Sequence, residues 1–248
     1  MVLTQQNAPR GVEPLEQLAD ETVHLDGGQR YVVCAFYTPN YMEQVLALKA
    51  SLDALGLNYF LKRYDRAATW EATTRIKPVF VDHCMSRFPK HDVLYLDADA
   101  VVRKEPVFFD TVTTDVCLLF NAVKPAKTHF IRIAAGTLLV RNTDGGRRFA
   151  RAWRAEEANA TMLSLDEDLI YMAMPKLEGV SFTALPQTYT KIFDKPGADP
   201  VIEHFQASRT QFKWRRVIRK ARRIAVAVGI IAAVILAYWL SRHLVWKP

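Results

Sequence analysis

Short apolar runs alternate along this chain with longer stretches of helical periodicity. The runs cover residues 31–36, 58–61, 93–96, 116–120 and 136–140. Their β-branched and aromatic side chains are typical of strands buried on both faces. The stretches at residues 42–55, 74–85, 146–159 and 166–175 place apolar side chains at helical spacing. This alternation predicts an α/β domain whose mixed, mostly parallel sheet is flanked by helices.

A different pattern marks the carboxyl-terminal part of the chain. Residues 224–240 contain no charged side chain, and at the rise of an α-helix they would span about 26 Å, close to the thickness of a bilayer core. Seven basic residues lie at 213–223 and two follow the run, so the positive-inside rule keeps the body of the chain in the cytoplasm. We therefore expect a single-pass membrane anchor at a bacterial inner membrane, with a buried core helix as the alternative.

Small residues recur every four positions along this predicted span. They are Ala225, Gly229, Ala233 and Ala237. Such spacing lets two transmembrane helices approach closely, so a homodimer is one expected partnership, although an alanine-rich segment also produces this spacing by chance.

The location of the charge argues against nucleic acid as a partner. The formal net charge is +7, and residues 213–248 hold nine basic and no acidic side chains, so the rest of the chain carries 7 − 9 = −2. A body near neutrality lacks the electrostatic footprint of a duplex binder. The predicted organisation is a flexible arm at 1–28, a folded domain at 29–212, a basic juxtamembrane segment at 213–223, a transmembrane helix at 224–240 and a short tail at 241–248.

Two acidic residues, Asp97 and Asp99, interrupt the apolar run that starts at residue 93. Open α/β sheets bind ligands at the carboxyl ends of their strands, which is where these carboxylates fall. Carboxylates one residue apart suit a hard divalent cation that also binds substrate phosphates. A solvated acidic turn is the alternative, and the apolar residues 100–102 that follow weaken it.

Together these pieces resemble a GT-A fold glycosyltransferase, similar to the retaining group that includes lipopolysaccharide galactosyltransferases and glycogenin. The resemblance covers roughly residues 30–212. Asp97, Ala98 and Asp99 match the DxD motif, which holds a manganese ion against the diphosphate of a nucleotide sugar. His204, in the segment 202–205, matches the third protein ligand of that metal. The resemblance thus implies Mn²⁺ (or Mg²⁺) as cofactor and a UDP-sugar as donor.

The acidic triplet Asp166, Glu167 and Asp168 resembles the Asp-Gln-Asp of the same family at the start of a helix. There the middle residue faces the anomeric carbon of the donor, and the last would bond sugar hydroxyls or fix the donor. Glu167 departs from the family glutamine, so it could form a covalent glycosyl intermediate or stabilise oxocarbenium character. Ordinary helix N-terminal acidity is the alternative for all three.

The resemblance also implies further donor contacts. They are Ala35, Tyr37 and Thr38 for the base and ribose, Lys77 for the diphosphate or sugar, Gly136 and Thr137 beside the donor sugar, and Arg209 for phosphate. Lys77 is preferred to the nearby Arg75, and a core or loop role remains open for residues 35–38. Ala134 stands where the family has asparagine, and Lys213 is an alternative to Arg209.

The predicted anchor suggests a lipid-linked or lipopolysaccharide-like acceptor at the membrane, because tethering raises the effective concentration of enzyme there. Two other functions remain open. One is a haloacid-dehalogenase-like phosphatase that uses Asp97 as nucleophile and Asp99 as acid/base. The other is a non-catalytic membrane adaptor with a degenerate transferase body.

Overall fold

The computed structural model describes residues 18–121 and 132–207. Its strands are β1 (Glu21–His24), β2 (Tyr31–Tyr37), β3 (Tyr59–Arg63), β4 (Asp92–Leu96), β5 (Ala100–Val102), β6 (Val116–Asn121), β7 (Arg132–Val140), β8 (Phe182–Ala184), β9 (Lys191–Ile192) and β10 (Ile202–His204). Its helices are α1 (Met42–Ala54), α2 (Trp70–Thr74), α3 (Ile76–Arg87), α4 (Phe108–Thr111), α5 (Asp144–Ala155) and α6 (Asp166–Ala173). Single 3₁₀ turns lie at Pro39–Tyr41, Glu156–Asn159, Met174–Lys176 and Gln187–Tyr189.

Seven strands form one sheet in the order β1-β3-β2-β4-β7-β6-β8. The pairs β3–β2, β2–β4 and β6–β8 are parallel, whereas β1–β3, β4–β7 and β7–β6 are antiparallel. The sheet is therefore mixed as predicted, but the prediction that it is mostly parallel was wrong. Strands β6 and β7, which are consecutive among the described strands, pair antiparallel, and β7 is also antiparallel to β4.

Helices cover both faces of this sheet, which confirms the predicted layering. Alternate residues of β2 show the division, because side chains of a strand point to opposite faces. Cys34 and Phe36 pack with Phe80 of α3 in one buried cluster. Ala35 packs with Leu48 of α1 in the other. Every residue of β2 is buried, as expected for a strand enclosed on both sides.

A smaller sheet of three strands, in the order β5-β10-β9, lies beside the turn that follows β4. β10 pairs antiparallel with β5, so His204 stands opposite Ala100. It also pairs in parallel with β9, where His204 stands opposite Ile192. This small sheet brings the late segment of the domain to the carboxyl end of β4.

A short strand, β1, lies within the segment that precedes the first buried strand. β1 pairs antiparallel with β3, and Glu21 forms an ion pair with Lys62 at 2.6 Å. The prediction of a flexible arm as far as residue 28 was therefore wrong for Glu21–His24. The open edge of β3 provides backbone hydrogen-bonding groups that a short neighbouring strand satisfies. Residues 1–17 lie outside the described part of the chain.

Within residues 18–121 and 132–207, no helix is long and apolar enough to cross a membrane. The predicted span at 224–240, the basic segment at 213–223 and the predicted phosphate contact Arg209 all lie outside the described residues.

Candidate active site

The acidic pair lies on a tight turn between β4 and β5. The amide of Ala100 donates to the carbonyl of Asp97 at 2.9 Å and closes the turn. The amide of Asp97 donates to Gly136 O on β7 at 2.9 Å, and the amide of Phe205 donates to Asp99 O at 3.0 Å. Backbone bonds from both sheets thus fix the positions of the two carboxylates.

Asp97, Asp99 and His204 converge at this turn. Each offers a ligand atom, and these atoms all lie within 4.8 Å of one another. Two carboxylates and an imidazole form a donor set that suits Mn²⁺ and, with water in the remaining positions, Mg²⁺. The residues therefore fit the metal site that the sequence predicts, while the identity of the ion stays a prediction.

Gly136 explains how the metal-binding side chains come so close. A Cβ atom at this position would lie 2.9 Å from Asp97 Oδ2, 3.2 Å from His204 Cε1 and 3.4 Å from His204 Nδ1. The first of these distances is shorter than real contacts of a Cβ atom. The missing side chain makes room for the two ligands themselves. The contact of Gly136 with the donor sugar, which the resemblance implies, stays a prediction.

Lys77 is buried behind the acidic pair, with 5% of its surface exposed. Its Nζ lies 3.0 Å from Asp97 Oδ1 and 2.6 Å from Asp166 Oδ2, and it donates to Ala135 O at 3.1 Å. The ammonium therefore forms ion pairs with two carboxylates and donates a hydrogen bond to one carbonyl. Lys77 thus joins α3, α6, β7 and the acidic turn, and its predicted contact with the donor stays a prediction.

The charges of this cluster shift the pKa values of its members. Burial raises the pKa of Asp97, but the charges of Lys77 and His204 and the hydrogen bonds from Lys77 and Tyr95 outweigh it, so the pKa is lowered. Burial, opposed by Lys77 and assisted by Asp97, raises the pKa of Asp166. Burial lowers the pKa of His204 against the pull of Asp97. An ionised Asp97 and a neutral His204 are the forms that bind metal.

Comparison with known proteins addresses the fold. No family model and no curated protein matches this sequence. Solved structures do match: a glycosyltransferase involved in glycosylation of the major capsid of PBCV-1 aligns with a TM-score of 0.56 at 12% identity, over 71% of this chain and 92% of that one. The fold is that of the GT-A glycosyltransferases.

Two other solved structures align less closely. Glycosyltransferase GlyE in Streptococcus pneumoniae TIGR4 gives a TM-score of 0.48 at 16% identity, over 71% of this chain and 54% of that one. Galactosyltransferase LgtC, in complex with donor and acceptor sugar analogs, gives 0.45 at 11% identity, over 71% and 87%.

The phosphatase alternative finds no support in this GT-A fold. Its motif normally lies on the strand that opens its domain, whereas β1, β2 and β3 all precede β4 here.

Two tyrosines that were not predicted as site residues interact with the carboxylates. The hydroxyl of Tyr95 donates to Asp97 Oδ1 at 3.0 Å. Burial, followed by the charges of Asp99 and Asp97, raises the pKa of Tyr41. Strand periodicity contained a signal for Tyr95, because residues 95 and 97 are two apart and point to the same face. Tyr41 lies on the 3₁₀ turn after β2, and the sequence gives no comparable signal for it.

The predicted base-binding residues are packed in the interior. Ala35 and Tyr37 are 0% and 1% exposed, and the hydroxyl of Tyr37 donates to Ala19 O at 3.3 Å. Thr38 is also buried and donates to Asn40 Oδ1 at 2.8 Å. The prediction that Tyr37 stacks on the base was wrong for this conformation, because β2 continues to residue 37 and encloses the ring. Ala98 is buried within the acidic turn.

The acidic triplet begins α6, and its three members have different surroundings. Asp166 pairs with Lys77, and its carbonyl accepts the indole N–H of Trp153 at 2.9 Å. Asp168 accepts the amide of Leu165 at 2.8 Å, so the predicted alternative of helix N-terminal acidity applies to it. Glu167 is partly exposed between them. Arg75, the residue not preferred in the sequence analysis, pairs with Glu157 at 3.0 Å.

Thr137 also contacts a different group from the one predicted. Its hydroxyl lies 2.8 Å from His204 Nε2, and the side chain is fully buried. The structure thus brings Asp97, Asp99, His204, Gly136, Thr137, Lys77 and Asp166 into one cluster.

Replacement of Gly136 by alanine tests whether this cluster holds a metal. We expect Gly136→Ala to lower Mn²⁺ affinity by about 10-fold or more, the usual order for a change in residues that support metal ligands, because the new methyl group displaces Asp97 Oδ2. Electron paramagnetic resonance of free Mn²⁺ measures the affinity, and thermal unfolding shows whether the fold survives. Gly28→Ala is the control, since nothing lies within 4 Å of a Cβ there. Unchanged affinity in Gly136→Ala would place the metal elsewhere.

Proposed function

We propose that this chain is a metal-dependent glycosyltransferase that moves a sugar from a nucleotide-diphosphate donor, a UDP-sugar, to a membrane-associated glycan or glycolipid, with retention of anomeric configuration. The observation that carries the proposal is the convergence of Asp97, Asp99 and His204 at the carboxyl end of β4 in a GT-A fold. Ligands of α/β sheets bind at this end, and the donor set matches a cation that binds phosphate oxygens.

Asp97, Asp99 and His204 would hold the Mn²⁺ or Mg²⁺ ion. When bound, such an ion supplies Lewis-acid stabilisation for the departing nucleoside diphosphate. The lowered pKa of Asp97, in which the Lys77 ammonium outweighs burial, keeps this ligand ionised at neutral pH. Lys77 and Tyr95 both bond Asp97 Oδ1, which leaves Oδ2 on the side of Gly136 and His204. The protein therefore orients the ligand oxygen before any substrate binds.

Binding of UDP is the first test of this function. In a calorimetric titration we expect UDP to bind in the presence of Mn²⁺, because the cation bridges the protein carboxylates and the diphosphate. Asp99→Ala removes one bridge and should abolish the heat of binding at the same concentrations.

Asp65→Ala is the matched control, because the side chain of Asp65 is 98% exposed and its ion-pair distance to Arg63 is 4.0 Å. Equal binding with and without Mn²⁺ would contradict metal dependence. A complete absence of UDP binding in the parent protein would favour the non-catalytic adaptor.

We assign Glu167 the position facing the anomeric carbon of the donor. Glu167 is the middle member of the triplet that resembles the family's Asp-Gln-Asp, and it is partly exposed at the start of α6. Glu167 replaces the glutamine of the similar transferases, so its carboxylate adds negative charge where oxocarbenium character develops. We propose electrostatic stabilisation during front-face transfer as its role, since glutamine at this position is compatible with a nucleotide-sugar transferase.

Glu167→Gln separates this role from covalent catalysis. We expect kcat to fall by no more than about 10²–10³-fold, the usual effect of removing one preorganised electrostatic group. Glu178→Gln, which changes an exposed glutamate, should leave kcat unchanged. Loss of all transfer in Glu167→Gln, restored by an added small nucleophile such as azide, would show a covalent glycosyl intermediate instead.

The proposed membrane acceptor rests on the sequence after residue 212. The uncharged run at 224–240 and the seven basic residues at 213–223 are the features of a cytoplasmic domain anchored to an anionic leaflet. An anchored domain meets a lipid-linked acceptor at a raised effective concentration.

The full chain reconstituted in anionic vesicles provides a direct test. We expect kcat/KM for a glycan acceptor carried on a lipid in those vesicles to exceed that for the same glycan in solution by about 10²-fold or more, the order that effective concentration allows. The control is the same pair of acceptors with the vesicles dissolved in detergent, where the difference should shrink. Equal kcat/KM for the two acceptors in intact vesicles would contradict a membrane acceptor.

A further inference from the structure

A buried hydroxyl lies against the histidine of the metal cluster. Thr137 is 0% exposed on β7, where it pairs with Leu96, the last residue before the acidic turn. Its Oγ1 lies 2.8 Å from His204 Nε2, and His204 itself is 5% exposed. A hydrogen bond between two fully enclosed side chains has no water to replace it, so losing either partner leaves a buried polar atom without its bond.

The opposite side of the imidazole ring faces the cluster. The space beside Gly136 is bounded by His204 Nδ1 and Cε1 and by Asp97 Oδ2, which lie 3.4, 3.2 and 2.9 Å from the same point. Nδ1 is therefore on the side of the carboxylate ligand, and Nε2 is on the side of Thr137. In a neutral imidazole one ring nitrogen carries a hydrogen and the other has a free lone pair. The direction of the hydrogen bond at Nε2 therefore decides whether Nδ1 carries the hydrogen or the lone pair.

The hydroxyl of Thr137 can donate a hydrogen bond to His204 Nε2 or accept one from it, and only one of these directions is compatible with a metal ligand at Nδ1. If Nε2–H donates to Thr137, the Nδ1 lone pair points to the side where Asp97 and Asp99 would share a cation. If the hydroxyl donates instead, Nδ1 carries the hydrogen and cannot be a ligand. Metal-binding histidines almost always donate their second ring N–H to a fixed acceptor. The β-branched side chain of Thr137 is stiff at χ1, which makes it such an acceptor.

We propose that Thr137 is a positioning residue that holds His204 in the Nε2–H tautomer, so that Nδ1 is the metal ligand. This rests on the proposed function to the extent that His204 binds the metal there. It replaces the contact with the donor sugar that the sequence predicted for Thr137. The hydroxyl acts through His204 and does not touch the substrate.

Two substitutions at residue 137 separate the effect of the hydroxyl group from the effect of the branched side-chain shape. Thr137→Val keeps the branched shape and removes the hydroxyl, whereas Thr137→Ser keeps the hydroxyl. We expect the valine variant to bind Mn²⁺ about 10- to 100-fold more weakly, as changes to outer partners of metal ligands do, and the serine variant to bind within a few-fold of the parent protein. Thr183→Val is the control, because Thr183 lies on β8 of the same sheet and its hydroxyl accepts a hydrogen bond from the Thr114 hydroxyl at 2.7 Å, away from the metal cluster.

Nitrogen-15 NMR of the imidazole reads the tautomer in the metal-free protein, at about pH 8, where the neutral ring dominates. We expect the Nε2–H form in the parent protein and in Thr137→Ser, and a mixture of tautomers in Thr137→Val. An Nδ1–H form in the parent, or a Thr137→Val variant that binds Mn²⁺ as tightly as the parent, would overturn the proposal.

The two readouts separate this inference from the function on which it rests. An Nε2–H tautomer that depends on residue 137, together with no Mn²⁺ binding by the parent protein, would overturn the metal site and the ligand role of Nδ1. Mn²⁺ binding by the parent that is insensitive to Thr137→Val would leave the metal site intact and overturn the positioning role alone.

Discussion

The buried ammonium of Lys77 is the interaction on which the rest of the site depends. It bridges Asp97 and Asp166 at 3.0 and 2.6 Å and bonds a carbonyl of β7, so one side chain joins the acidic turn, α6 and the sheet. Burying a charge is costly unless it is paired and hydrogen-bonded, and removal of one partner from such a group typically costs about 3–5 kcal/mol. The three acceptors therefore stabilise each other's positions through Lys77, and the carboxylates at the turn have fixed places before any ligand arrives.

The same interaction sets the charge of the site. Two carboxylates share one ammonium, and Asp99 adds a third acidic group nearby, so the cluster keeps an excess of negative charge. Asp166 shows an effect of this excess. Burial and the negative charge of Asp97 raise its pKa, although the positive charge of Lys77 lowers it. The carboxylates of Asp97 and Asp99 converge with His204 at the acidic turn. A divalent cation held by these residues would reduce the repulsion between the carboxylates, so the donor set and the electrostatics favour the same ligand.

The sequence predicted the site residues whose positions depend on a single strand or helix. It did not predict the contacts that require several strands and helices to come together. Asp97 and Asp99 follow from the rule that ligands bind at strand ends, and Tyr95 was accessible from strand periodicity. His204 came only from resemblance, because its approach to the acidic turn requires the small sheet formed by β5, β9 and β10. Helical periodicity placed Lys77 on α3, but no pattern shows that its ammonium meets two carboxylates and a carbonyl from other elements. In the same way, strand patterns carry no direction, and the antiparallel course of β7 beside β4 escaped prediction.

The three acidic side chains in the first turn of α6 have different surroundings, although their chemistry is similar. Asp166 is buried against Lys77, and Asp168 accepts the amide of Leu165, so both contribute to the position of the helix start. Glu167, the middle member, is partly exposed, as is Asp168. A glutamate at position 166 would have to fit a longer side chain into the enclosed space around Lys77. The structural constraint on the triplet is therefore strongest at its first member.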